Sequence, residues 1–284
     1  MYIVRLLCLS IIVGWAVQAQ ALDVRRRATG HVSFYVAPDG SDANDCLSQS
    51  TPCKTAQIAC TKAMNEWDFG GYDPFIRLSA GIYNGGCNLA GQLVGAHTIN
   101  IVGEQSEDQS CTLQQAERVI VHPAPGTSEI FMFQDLAIGV LRCLTVEGPG
   151  AHGVKCRQTP ASDIAFVKFG GSQGLQFGAS AGGSCGLNLG GTIWVGNNLT
   201  AVVAAGSNSR LTAAAHVVAT NPVSLEYFAL SYDLSLIEFF YPITGPFTVQ
   251  NGSRVWRAGT ILTNGQSIPG GCVQADANQP GHCW

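Results

Sequence analysis

The groups able to move protons gather in the middle of the chain. Glu147, His152, Lys155 and Lys168 lie within one short stretch, with Arg157 beside them. A carboxylate and an amine held close together can pass a proton between them, and an imidazole titrates nearer neutrality than either. These four are the candidate catalytic residues. Thr145, Asn188, Thr212 and Arg157 are the candidate binding groups, suited to hydrogen-bonding hydroxyl-rich ligands. The plain alternative for Glu147 and Lys168 is an exposed ion pair, contributing at most ~1 kcal/mol.

The acids needed for stronger chemistry are scattered. Residues 120–146 contain one aspartate, Asp135, and no Asp-Asp pair occurs anywhere. Asp135, Glu147 and Asp163 are the acids considered near enough to supply a second carboxylate, as glycoside hydrolysis requires. There is no CxxC pair, calcium loop, phosphate-binding glycine loop, Gly-x-Ser-x-Gly or HExxH. The expectation is therefore no cofactor and no metal.

Short near-repeats must position these groups. Leu144–Gly148, Val167–Gly171 and Leu187–Gly191 read apolar, polar, apolar and then glycine, and Leu211–Ala215 repeats the pattern with alanine. A second set comprises Val154-Lys155-Cys156, Leu175-Gln176-Phe177 and Ile193-Trp194-Val195. Units this short cannot bury their own apolar side, so they must stack on one another. Alternation with period two identifies strands, and glycine marks the corners. The expected fold is all-β, a right-handed parallel β-helix with an N-terminal capping α-helix. A glycine-rich antiparallel sandwich is the alternative. The repeat register puts Thr145, Lys168, Asn188 and Thr212 in one outward column, with Glu147 diagonal to Lys168.

Composition narrows the partners. Of 284 residues, 12% are charged and the formal net charge is −4, with only Arg25-Arg26-Arg27 forming a basic run. Nucleic acid is excluded as a partner, because phosphate neutralisation needs clustered cations. Residues 1–21 have the pattern of a secretory leader: Arg5, an apolar run from Leu6 to Val17, and the small-residue site Ala19-Gln20-Ala21. Twelve apolar residues are too few for a stable membrane span. Loss of Cys8 with the leader leaves ten of the eleven cysteines, an even number suited to disulfides in an oxidising compartment. Cys46–Cys53 and Cys272–Cys283 are the local pairings expected; the others stay open. Asn198-Leu199-Thr200 and Asn251-Gly252-Ser253 match the glycosylation acceptor pattern.

Along the chain, 22–30 is read as a mobile N-terminus and 31–72 as a strand, a turn and a capping helix. Thr51-Pro52 is the expected helix start. Ala56, Ala59, Cys60, Ala63, Met64 and Trp67 then share the apolar face. The coils fill 73–265, and a tail follows over 266–284. Tyr227, Phe228, Tyr232, Phe239, Phe240 and Tyr241 crowd aromatic rings near the end, as terminal core or as a platform for stacking sugars.

The run Phe34-Tyr35-Val36…Asp39-Gly40-Ser41-Asp42…Cys46…Pro52…Thr55-Ala56-Gln57-Ile58-Ala59 resembles the opening segment of pectin-lyase-like β-helix proteins. Cys46 and Cys53 depart from the small residues usual there. The resemblance implies a capped β-helix and an extracellular polysaccharide as partner. It does not separate lyases and hydrolases from adhesins and tailspikes. Gly150-Ala151-His152-Gly153, with Lys155 and Arg157, faintly resembles the Gly-x-His-Gly corner of polygalacturonases, without their three aspartates. The outward columns of Thr and Asn favour binding. The rival reading is a lyase or hydrolase centred on Glu147, His152, Lys155 and Lys168, and a third is a purely structural surface component.

Overall fold

The computed structural model describes residues 25–104, 110–135, 137–274 and 281–284. The leader over 1–21 lies outside the described residues, as do residues 22–24 of the expected mobile N-terminus. Every strand pairing within the described residues is parallel. The chain winds as a parallel β-solenoid of about eight turns.

Each turn visits three faces. The first face runs from Ser33–Val36 through Phe75–Leu78 and Ile99–Val102, then along the leading halves of Gly139–Val146, Ser162–Phe169, Gly186–Val195 and Arg210–Ala219. Those long strands bend, and their trailing halves continue the second face begun by Gly81–Asn84 and Val119–His122. The bend falls at Cys143, Phe166 and Gly191, whose φ values of 60°, 55° and 62° place all three in the left-handed region. Such a residue turns the strand at a cost of ~1 kcal/mol where a side chain is present, and between Ala165 and Lys168 the register to the next turn shifts. The third face stacks Glu129–Gln134, His152–Arg157, Leu175–Gly182, Leu199–Ala205, Val223–Ser231 and Ser253–Val255.

Inside, like sits on like. Leu141, Ile164, Leu189, Ala213 and Phe239 stack from the first face, and Phe131, Val154, Ala179, Val203 and Ala229 from the third. All ten are buried. Each large side chain so buried contributes ~1.5–3 kcal/mol, and no turn could gain that alone. Gly153 and Gly178 make room for this core: a Cβ on Gly178 would lie 2.9 Å from the Phe169 ring.

The register differs from the one expected. Leu144 does pair with Val167, but Leu187 pairs with Ser162 and Leu211. Leu187–Gly191 therefore lies on the first face, whereas Val167–Gly171 begins on the second. A strand that alternates on both sides of a corner shows the same short pattern twice per turn, so the pattern cannot fix the register. The second set fails for the same reason. Val154-Lys155-Cys156 pairs with Ala179-Ser180-Ala181, and Ile193-Trp194-Val195 belongs to the second face.

The helix Ala56–Glu66 closes the N-terminal end, with Ala56, Ala59, Cys60 and Ala63 buried in the core. Its cap is Thr55 rather than Thr51. Asp42 binds the backbone N–H groups of Lys54 and Thr55, and Cys53 pairs back to Tyr35 and Ala37, so the chain is still extended at Pro52. Disulfides join Cys46 to Cys53, Cys60 to Cys87, Cys111 to Cys143, Cys156 to Cys185 and Cys272 to Cys283. Among the described residues no helix is long and apolar enough to cross a membrane.

Candidate functional site

The structure separates the groups that sequence spacing had placed together. Thr145 and Lys168 are neighbours on the second face, in a column continued by Trp194. Asn188 and Thr212 instead share a first-face column with Asp163 and Glu238. The Thr145 hydroxyl is buried and donates to the Ala116 carbonyl, beneath the short helix Leu113–Ala116. Lys168 donates to Glu117, not to its expected diagonal neighbour Glu147. Glu147 is only 4% exposed. It accepts from Ser172 Oγ at 3.1 Å and lies 3.2 Å from His122 Nε2. Closed in by Gly171, where a Cβ would collide with its carboxylate, Glu147 serves as a corner brace.

The first-face polar column is likewise occupied by its own partners. Asn188 Nδ2 donates to Asp163 at 2.9 Å, and Arg210 makes a forked contact with Glu238. A broad depression passes over Asn188 and Thr212, and the one charged group among its lining residues, Arg210, is engaged by Glu238.

His152, Lys155 and Arg157 do remain together, on the outer side of the third face. The missing acid there is Glu129, the in-register neighbour of His152 on the preceding turn. Lys155 Nζ donates to Glu129 Oε1 at 2.7 Å, and Ser128 Oγ donates to the other oxygen at 2.8 Å. Burial alone would raise the Glu129 pKa, but these donors outweigh it and hold the carboxyl below its usual range. His152 Nδ1 lies 2.9 Å from Ser180 Oγ, and its ring meets Phe177 edge-on with centroids 4.8 Å apart. Burial, helped by the Lys155 ammonium and opposed by Glu129, pushes the His152 pKa down to about 4. The imidazole is therefore neutral at neutral pH. It can accept or offer a hydrogen bond without carrying charge.

Next to this polar group the outer surface becomes apolar. Phe177, Ala201 and Tyr227 continue the column of His152, while Ser180, Ala204, Leu230 and Arg254 continue that of Lys155. Ala201 and Ala204 point away from the solenoid core yet are 0% and 2% exposed. They are covered by the partly exposed rings of Phe177, Tyr227 and Trp256. The Arg254 guanidinium lies 5.3 Å from the Tyr227 ring and 5.9 Å from that of Trp256. Arg254 forms no ion pair with a described carboxylate, and its buried Nε has no hydrogen-bond partner. Tyr227 and Trp256 meet edge to face, with centroids 6.4 Å apart at 68°, so the rings over the alanines form a ridged apolar platform with a polar rim. Its chemistry is stacking and hydrogen bonding.

Sequence reasoning missed Glu129, Phe177, Ser180, Arg254 and Trp256. Sequence spacing shows Phe177 only as part of a short near-repeat, whereas its ring lies outside the core, against His152 and the outward alanines. The late aromatic cluster splits: Phe228 and Phe239 are core, Tyr227 joins the platform, and Tyr232, Phe240 and Tyr241 are exposed. The signal that could have found the platform was the pair of small residues Ala201 and Ala204 beside isolated large rings. The chain matches no family model, no curated protein and no solved structure.

Proposed function

We propose that this is a secreted β-solenoid protein that binds an extracellular polysaccharide along the outer third face. The observation that carries the reading is the ring-covered alanine floor of Phe177, Tyr227 and Trp256, bordered by His152, Lys155, Ser180 and Arg254. An aromatic face takes the C–H face of a sugar ring, and the rim takes its hydroxyls. The N-terminal leader pattern and the resemblance of the opening segment to pectin-lyase-like proteins support the extracellular setting and the ligand class. Five disulfides fit an oxidising compartment.

A second reading, a polysaccharide lyase or hydrolase, draws on His152, whose neutral imidazole borders the platform, although burial and Lys155 lower its basicity. Against it, Glu129 is neutralised by Lys155, and Glu147 and Lys168 have structural partners elsewhere. Incubating the purified protein with a panel of plant and microbial polysaccharides separates the two. Retention without new reducing ends or unsaturated products is the expected result. Product formation lost in His152→Ala would replace binding with catalysis.

A further inference from the structure

The platform has a spacing as well as a chemistry. Phe177 and Tyr227 occupy the same column with Ala201 between them, so they stand two rungs apart, about 9.5 Å. They make no ring contact with each other. Two rungs match the advance of two sugar rings in an extended β-1,4-linked chain, where every second ring presents the same face in the same direction. A chain that rotates its rings by a third of a turn per residue could not lay flat faces on both aromatics. The rings to be stacked must also carry apolar C–H groups on their faces, as pyranoses with equatorial substituents do.

Charge points the same way. Glu129 neutralises Lys155, and Arg254 is laid against two rings with its Nε sealed from solvent. Arg157 is exposed but stands at the far end of its strand, in register with Gln134 and Gly182 rather than with the rings, and the exposed Glu226 lies beside Tyr227, so the ring surface does not select strongly for anions.

We infer that the third face is a recognition site for a neutral, extended β-1,4-linked glycan of equatorially substituted sugars, with rings n and n+2 stacked on Phe177 and Tyr227. This deepens the polysaccharide reading and rests on it.

The test titrates the full mature chain with cello-oligosaccharides of two to six units, beside polygalacturonate and alginate fragments. Affinity is expected to rise at least tenfold from two units to three, because three rings are the fewest that reach both aromatics. That step should vanish in Phe177→Ala and in Tyr227→Ala, while Phe240→Ala, an exposed ring elsewhere, keeps it. Thermal unfolding of each variant checks that the fold survives, and the length step in the unaltered protein tests the inference without any substitution. Equal or tighter binding of the uronate fragments overturns the neutral-glycan inference and leaves polysaccharide binding standing. Neutral binding without the length step overturns the placement on Phe177 and Tyr227. Retention of no polysaccharide overturns both readings.

Discussion

Two apolar clusters lie on the outside of this solenoid, and the chain treats them differently. On the second face Trp194, Cys143 and Val218 are roofed by the segment carrying Cys111, Leu113 and Ala116. That segment is fastened by the Cys111–Cys143 disulfide, by Lys168 to Glu117 and by Thr145 to Ala116. On the third face Ala201, Ala204 and Leu230 have only the rings of Phe177, Tyr227 and Trp256 above them, and no further segment of the described chain lies across those rings. An outward apolar residue that serves stability is covered, because leaving it wet forfeits its burial energy. A bare ring platform on one face and a roofed cluster on another is the contrast that the proposed binding role would require.

The largest test of this contrast removes the fastening of the roof. Replacing Cys111 and Cys143 by serine should cost ~3–4 kcal/mol for a loop of this length, measured by denaturant unfolding under non-reducing conditions. Tryptophan emission should also shift to the red as Trp194 meets water. Unchanged stability would mean the roof is not part of the cooperative fold. A smaller effect comes from exchanging damage between the faces. Trp194→Ala should lose about 3 kcal/mol with sugar binding retained. Tyr227→Ala should lose about 1 kcal/mol or less and abolish binding. If both variants lose stability alike, the third-face rings are ordinary packing and the contrast fails.

The smallest expected effect is a pH slope. His152 has its pKa lowered to about 4 in the folded chain, from 6.5 when free. Between those values the unfolded chain binds more protons than the folded one, so stability rises with pH across that window. After allowance for solvent screening the rise is on the order of 1 kcal/mol. His152→Gln should flatten it, read from unfolding midpoints at pH 4.5 and 7. An unaltered slope in that variant would assign the titration to another group.

The sequence carried the architecture further than the site. Alternation in Val154-Lys155-Cys156 and glycine at the corners pointed to stacked parallel strands, and Ala56, Ala59, Cys60 and Ala63 marked the face of the capping helix. The column of Thr145, Lys168, Asn188 and Thr212 did not survive, because a corner at Phe166 and Gly191 shifts the phase of the alternation within one turn. In a period-two structure such a shift decides which side a residue faces. Glu147 looked available because it was acidic and central, yet it sits in a corner where Ser172 and His122 satisfy it. Glu129 went unnoticed because its partner Lys155 lies one full turn away in the chain.

What the sequence determined by itself was the need to stack: units of some two dozen residues, apolar on one side, have no stable form except against copies of their own shape. Which residues meet across neighbouring turns was settled only in three dimensions. Contacts between turns depend on loop lengths and corners summed around each coil, and one extra residue there moves every later side chain relative to the turn below. The platform of Phe177, Tyr227 and Trp256 is the product of those sums, assembled from residues that no local stretch of the chain brings together.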